Sequence, residues 1–388
     1  MTTQNDVYVI GVGMHPFMRD APSLRDMYFT AASAALKDAG IRFQDIGYLY
    51  NGYIGGTFLE GITFAKDLGL TNVPIVHVEN ASATGSCAFR EAVNAVRGGH
   101  CEAAMAVGFD DMMKFSRSRA MAQMGDGPKI DSTILPAAFF AMWAVRRMHD
   151  HGTSVETYAK IAAKNWNHAR HNPMAQRQAA QEVTAAEILA APEVSYPHTT
   201  KMACAAGGGA AAAIVATKEV AERLAGGRPM VRVAASQMKS EHYTPGHVFL
   251  GAVIGPEDLT RVTTEAVYQE AGVGPTDVDL VHVHDAFPIE ELMYTELMGF
   301  AEPGEGDRLV ANGDTSIGGR IPFSTDGGLT ARGHPGGPTG LAQIWDSVQQ
   351  LRGESGVRQV KGARNALVHM MGAGSICVMH LLQRDGDI

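Results

Sequence analysis

Charge of one sign is nowhere concentrated in this chain. Its 32 lysines and arginines and 41 aspartates and glutamates give a net charge of −9 without long single-sign runs. The electrostatic footprint of a nucleic-acid-binding or polybasic membrane-surface protein is missing. Cysteine is scarce. Cys87, Cys101, Cys204 and Cys377 form no CxxC pair, which excludes a secreted disulfide scaffold and a thiolate zinc site and fits a reducing, cytoplasmic compartment. No stretch approaches the ~20 apolar residues of a membrane-spanning helix. The opening MTTQNDVYVIGVGM carries neither the basic nor the long apolar part of a secretory signal. The glycine-rich ACAAGGGAAAA fits neither GxGxxG nor GxxxxGK[ST], so nothing in it supports binding of a nucleotide phosphate.

What is present is apolar material for more than one core: 388 residues, 45% hydrophobic and 19% charged. β-Branched runs alternate with apolar-periodic segments. VYVIGVGM reads as a strand, and SLRDMYFTAASAALKDAG as a helix with Ser23 at its start and Gly40 at its end. The alternation continues through IGYLYNGY, a helix around Phe58–Leu68, VPIVHVE, a helix from about Thr84 to Val96, and EAAMAVGFDDM. It predicts an α/β lobe with a largely parallel sheet. Residues 114–197 turn Met-, Arg-, His- and Gln-rich and predict an insertion of helices without intervening strands. A second α/β series follows, so the division expected is an N-terminal lobe over 1–255 that includes the insertion and a C-terminal lobe over 256–388. The two share a signature. Thr84-Gly85 opens a helix that ends at Arg97-Gly98, and Thr339-Gly340 opens one that ends at Arg352-Gly353, each followed by an apolar strand ending in glycine, Gly108 or Gly372. Duplication predicts two lobes facing each other with these helices paired.

Three short stretches place polar side chains at strand or helix ends, where α/β folds hold ligands: NASATG, HDAF and GHPGGPTG. Ser82 stands at a helix N-terminus, which suits either a nucleophile beside an anion-favouring site or a plain N-cap. His284 follows a strand and can donate to a developing oxyanion or exchange a proton near neutral pH. His282, two residues earlier, is expected on the same face, as in a metal pair, but the spacing offers no third ligand. Asp285 is expected to cap the following helix or to hydrogen-bond His284. His334 lies between glycines just before the second repeat helix, and the repeat pairs it with the Ser82 turn. In MMGAGS, Gly372 and Gly374 offer backbone N–H groups to a substrate or simply form a tight hairpin.

With the duplicated lobes, NASATGS, HDAF, GGLTARGHPGGPTGLAQIWDSVQQLRG and the terminal GAGS, the sequence resembles the thiolase superfamily, in particular its sterol carrier protein X-type group, which has HD.F where ordinary thiolases have NEAF. The resemblance spans essentially the whole chain. It implies duplicated βαβαβαββ lobes in a five-layered αβαβα fold, a loop domain at 114–197, a dimer or larger homo-oligomer, and a coenzyme A thioester as substrate with no cofactor or metal. It further implies that His334 activates the nucleophile, that His284 binds the thioester oxygen, and that the Ser82 and Gly372 N–H groups, with Gly374 in the same loop, form an oxyanion hole. Two departures stand out. The family nucleophile is a cysteine where this chain has Ser82, and the second family thiol falls where this chain has Ala286 or Met370. Three functions follow as expectations: carbon–carbon bond making or breaking beside a CoA thioester through an acyl-Ser82; retro-aldol cleavage of a bulky β-hydroxyacyl-CoA without acylation; and a silent acyl-CoA-binding or scaffold subunit. The sequence is equally compatible with a native serine and with one engineered in place of cysteine. Related proteins without a fused sterol carrier domain work with a small OB-fold, zinc-ribbon subunit, which is the partner expected here. Cys87 lies more than a helical turn past Ser82 and is expected to face the helix packing.

Overall fold

The computed structural model of the chain describes residues 6–54, 59–114, 136–242, 257–373 and 375–386. Gly374, the expected lobe boundary at residue 255 and the early part of the insertion lie outside them. The first half runs β1 (Val7–Met18), α1 (Leu24–Ala39), β2 (Tyr48–Gly52), α2 (Glu60–Ala65), β3 (Ile75–Val78), α3 (Thr84–Arg97) and β4 (Ala103–Asp111). As its sequence predicts, α1 begins where the Ser23 side chain accepts from the Asp26 N–H and ends at Gly40 in the left-handed conformation. Then come α4 (Pro136–His151), α5 (Val155–Ala169), α6 (Ala185–Leu189), β5 (Glu193–Ser195) and β6 (His198–Thr199). The β5–β6 hairpin corrects the expectation of helices alone. Its strands, three and two residues long, are too short to show a period of two.

The remainder is β7 (Gly208–Thr217), α7 (Lys218–Leu224), β8 (Met230–Ser240), α8 (Glu257–Ala271), β9 (Leu280–His282), α9 (Pro288–Leu297), α10 (Gly306–Asn312), α11 (Thr339–Arg352), β10 (Asn365–Gly372) and β11 (Ile376–Asp385). Strand order is β3-β2-β4-β7-β1 in the first half and β8-β11-β10-β9 in the second. The two meet where Tyr8 and Val9 of β1 pair with Arg232 and Val231 of β8. By pairing, β8 belongs with β11 although it precedes residue 255. The halves repeat each other. In each, the first strand runs antiparallel to the last (β1 to β7, β8 to β11), that strand runs antiparallel to the next outward (β4, β10), and a parallel strand follows (β2, β9). A single bridge from Val281 to Phe323 stands where the second half would have its counterpart of β3.

Amphipathic spacing sets the layers. Phe89, Ala92, Val93 and Val96 of α3 and Leu341, Ile344, Val348 and Leu351 of α11 are fully buried in one cluster with β1, β4, β7 and β10. Each of the larger side chains contributes roughly 1.5–3 kcal/mol by leaving water. One further cluster joins α1 to the outer face of the first half's strands, and another joins α8 and α9 to the second half's. The result is the five-layered αβαβα arrangement, with α3 and α11 paired as its middle layer. The insertion has its own core of Tyr158, Ile161, Ile188 and Met202, closed against Phe287, Ile289 and Leu329.

Candidate active site

Pairing α3 with α11 brings the starts of both helices together. Before α3, Thr84 closes a tight turn: its hydroxyl donates to the Ala81 carbonyl (2.6 Å) and accepts from the Asn80 N–H (2.9 Å). The turn requires φ 47° at Ala81, a left-handed conformation that costs a residue with a Cβ about 1–2 kcal/mol. It lifts Ser82 toward the second lobe. Ser82 is not the cap of α3. That position belongs to Ala83, which makes no side-chain cap bond, and the half-buried Ser82 hydroxyl lies 3.0 Å from His334 Nε2.

His334 is fixed at both ends. Its backbone N–H donates to the Ala205 carbonyl (2.8 Å) and its Nδ1 lies 2.9 Å from Thr339 Oγ1. Burial first, then the charges of His284 and Arg332, hold its pKa well below the ordinary histidine value, so the ring is neutral at pH 7. Buried ion pairs anchor the surroundings: Asp326 binds Arg332, and Asp346 of α11 binds Arg358 at 2.5 Å, with the His282 ring 3.2 Å from the same carboxylate. Breaking one member of such a buried set leaves an uncompensated charge.

The His284 ring stands edge-on to His334, with centroids 5.3 Å apart. Its Nδ1 lies 2.8 Å from Glu290 Oε1, and the same carboxylate accepts from the Ala286 N–H (2.8 Å) and the Tyr294 hydroxyl (3.2 Å). Burial opposes the charged imidazolium, but the Glu290 carboxylate, with Asp285 and a backbone hydrogen bond, outweighs it and His284 has a raised pKa. Two adjacent imidazoles are thus driven apart, one toward neutral and one toward cationic. His282 does not share this site. β9 ends at His282, whose ring turns to Asp346 and Thr325 while His284 turns to Glu290. Among the described residues no cluster of three or more His, Cys, Asp or Glu side chains could hold a metal ion.

Asp285 neither caps α9, whose N-cap is Phe287, nor bonds His284. Its buried carboxylate accepts from Asn165 Nδ2 of α5 (2.8 Å), the Leu329 N–H (2.7 Å) and Ser324 Oγ (3.1 Å). It ties the insertion to the His284 and His334 loops, and burial, then the charge of Glu291, pushes its pKa up to about 7. Gly372 closes the site from β10. A Cβ there would lie 2.4 Å from the Asn80 carbonyl oxygen, so only glycine lets this strand end reach the Ser82 turn.

Cys87 and Cys377 stay out of this arrangement. Cys87 is buried, accepts from Asn80 Nδ2 at 3.1 Å and touches Met238, and burial pushes its pKa up to about 11. Cys377 is buried in β11 with a pKa pushed up to about 12. Met370 packs with Cys87, Ala83 and Val378. Sequence reasoning brings Ser82, His284, His334 and Gly372 together and the structure places them side by side, but it misses Glu290, Asn165 and Thr339. Thr339 had a signal, since the duplicated Thr-Gly marks it as the partner of Thr84. Glu290 had only its place in the first turn of a helix.

Family models match in order along the chain: "Thiolase, N-terminal domain" over residues 7–188 and "Thiolase C-terminal domain-like" over residues 257–383. The chain is 34% identical to sterol carrier protein 2 of Rattus norvegicus over 97% of this chain and 71% of that protein. It is also 34% identical to an acetyl-CoA acetyltransferase of Methanothermobacter thermautotrophicus over 98% of this chain and 100% of that one. Among solved structures, the one described as "Ltp2-ChsH2(DUF35) aldolase" has the same fold, with a TM-score of 0.87 at 22% identity and 100% of both chains covered.

Proposed function

The chain belongs to the thiolase family, and from that premise we propose that it makes or cleaves a carbon–carbon bond beside a coenzyme A thioester, with Ser82 as the acyl acceptor. One observation carries this reading: the Ser82 hydroxyl lies 3.0 Å from the Nε2 of a neutral His334. A serine hydroxyl is a weak nucleophile unless a base takes its proton as it attacks. In the cleavage direction Ser82 Oγ bonds to the β-keto carbon while His334 Nε2 takes the hydroxyl proton. The oxyanion rests on the N–H groups of Ser82 and Gly372, donors of a kind worth about 3–4 kcal/mol in the transition state. The carbon–carbon bond then breaks toward the thioester, His284 donates to the resulting enolate oxygen, and the proton held on His334 goes to the departing carbon. Coenzyme A attacks the acyl-serine to release the shortened thioester and restore the hydroxyl.

A second reading has its own support in the burial of Cys87 and Cys377, which leaves Ser82 and not either of these thiols facing His334. In a retro-aldol cleavage His334 takes the proton of a β-hydroxyl, the carbon–carbon bond breaks, and His284 holds the enolate, with no covalent intermediate. The aldolase named among the structural neighbours suits this route. Intact-mass analysis after incubation with β-ketoacyl-CoA and β-hydroxyacyl-CoA substrates tests both. An acyl adduct on Ser82, absent in Ser82→Ala, supports acyl transfer. Undiminished cleavage by Ser82→Ala rules it out in favour of the aldolase.

The assembly we propose is a homodimer formed through β3. This edge strand has no outer neighbour among the described residues, and its Val76 and His77 are exposed. A small OB-fold, zinc-ribbon subunit is proposed as a further partner, since the aldolase neighbour's name joins two components. Light scattering of the purified chain, alone and with such a subunit, measures both. Among the described residues no helix is long and apolar enough to cross a membrane.

A further inference from the structure

Thr339 is wholly buried at the start of α11. Its hydroxyl has one proton, and that proton goes to the Pro335 carbonyl oxygen, 2.6 Å away, which can only accept. The same Oγ1 lies 2.9 Å from His334 Nδ1. With its proton committed, the threonine oxygen can only accept there, so Nδ1 carries the hydrogen. In a neutral imidazole the other nitrogen is then an acceptor. That nitrogen is Nε2, the atom facing Ser82. We propose that Thr339 is a positioning residue that fixes His334 in its Nδ1–H tautomer and so holds the Nε2 lone pair on the Ser82 hydroxyl. The proposal deepens the reading of Ser82 and His334 as the reacting pair and rests on it.

The repeat supports the assignment independently of His334. Thr84, the matching residue of the first half, also donates to a carbonyl of the preceding turn, that of Ala81, and also accepts from an N–H, that of Asn80. Each Thr-Gly helix start therefore commits its hydroxyl proton to the turn and offers its oxygen to a donor. In the first half that donor is the backbone carrying Ser82; in the second it is the ring facing Ser82. His284 meets the His334 ring edge-on and turns its own Nδ1 to Glu290, so the partner seen at His334 Nδ1 is Thr339.

Nitrogen-15 labelling of the imidazoles in the full chain reads the tautomer directly, with the His334 signal identified as the one lost in His334→Gln. The expected result is an Nδ1–H ring in the parent and in Thr339→Ser, moving toward Nε2–H in Thr339→Val. In a Ser82→Cys background, alkylation of the introduced thiol at neutral pH is expected to slow about tenfold with Thr339→Val, the equivalent of one hydrogen bond, and to recover with Thr339→Ser. An Nε2–H ring in the parent, or a tautomer and alkylation rate unchanged by Thr339→Val, overturns the proposal. Neither readout involves acyl-CoA turnover. A chain inactive on every acyl-CoA would therefore refute the proposed function and leave the tautomer result to be judged separately.

Discussion

Gly85 of α3 and Gly337 of the loop before α11 touch backbone to backbone: a Cβ on Gly85 would stand 2.5 Å from the Gly337 carbonyl oxygen. A methyl group has no room there, and the neighbour is main chain that cannot swing aside. Gly85→Ala is expected to lower the free energy of unfolding by roughly 1–3 kcal/mol, as overpacking does, and to separate Ser82 from His334. Urea denaturation measures the first effect; alkylation of a Ser82→Cys thiol in the same background measures the second.

The two histidines predict the shape of the pH profile. His334 must be unprotonated to take a proton, and its pKa lies well below the ordinary value. The acid limb of kcat/KM is therefore expected below the usual histidine range. His284 must be protonated to donate, and its pKa is raised, so the alkaline limb is expected above that range. A profile in acyl-CoA turnover with both limbs at the ordinary histidine value would contradict this division of roles.

Glu290 supports the cationic form of His284. Glu290→Gln keeps the shape and removes the charge. It is expected to lower kcat/KM by roughly 10- to 100-fold, the equivalent of a hydrogen bond to a charged group. The alkaline limb should move to lower pH while the acid limb, which belongs to His334, stays in place. Steady-state kinetics over a pH series checks both limbs at once.

Asp285 gives stability its own pH dependence. The folded-state pKa is pushed up to about 7, so between the ordinary carboxylate range and about pH 7 the native state keeps a proton that the unfolded state has lost. Stability therefore falls as pH rises through that window and levels off above it. Asp285→Asn is expected to remove this part of the slope, which denaturant titrations at a series of pH values would show.

Much of this arrangement is legible in the chain, and the rest fails to show for physical reasons. The duplicated helices were readable because Thr-Gly and Arg-Gly recur at one spacing, and a helix that packs against its own copy must keep its small residues at the contact. Ser82, His284 and His334 were readable because glycine-rich turns at strand and helix ends are where polar groups remain accessible. The work of Asp285 was hidden. Its partner Asn165 lies 120 residues away, and no local pattern records that an α5 side chain reaches under the HDAF loop. The cap reading of Ser82 failed because the positive φ at Ala81 turns the hydroxyl away from the helix, and a backbone torsion at an alanine leaves no trace in composition.

The hydroxyl and the base proposed to face it are separated by 252 residues of chain, and β11, the last described strand along the chain, sits between β8 and β10. During synthesis the first half therefore emerges with Ser82 exposed at its turn but with nothing beside it to take its proton. The hydroxyl stays chemically quiet until the second half has been made, has laid α11 against α3 and has inserted its final strand. On the proposed chemistry, reactivity at Ser82 would accordingly report that the two lobes have assembled, and a chain cut between them would be expected to lose it.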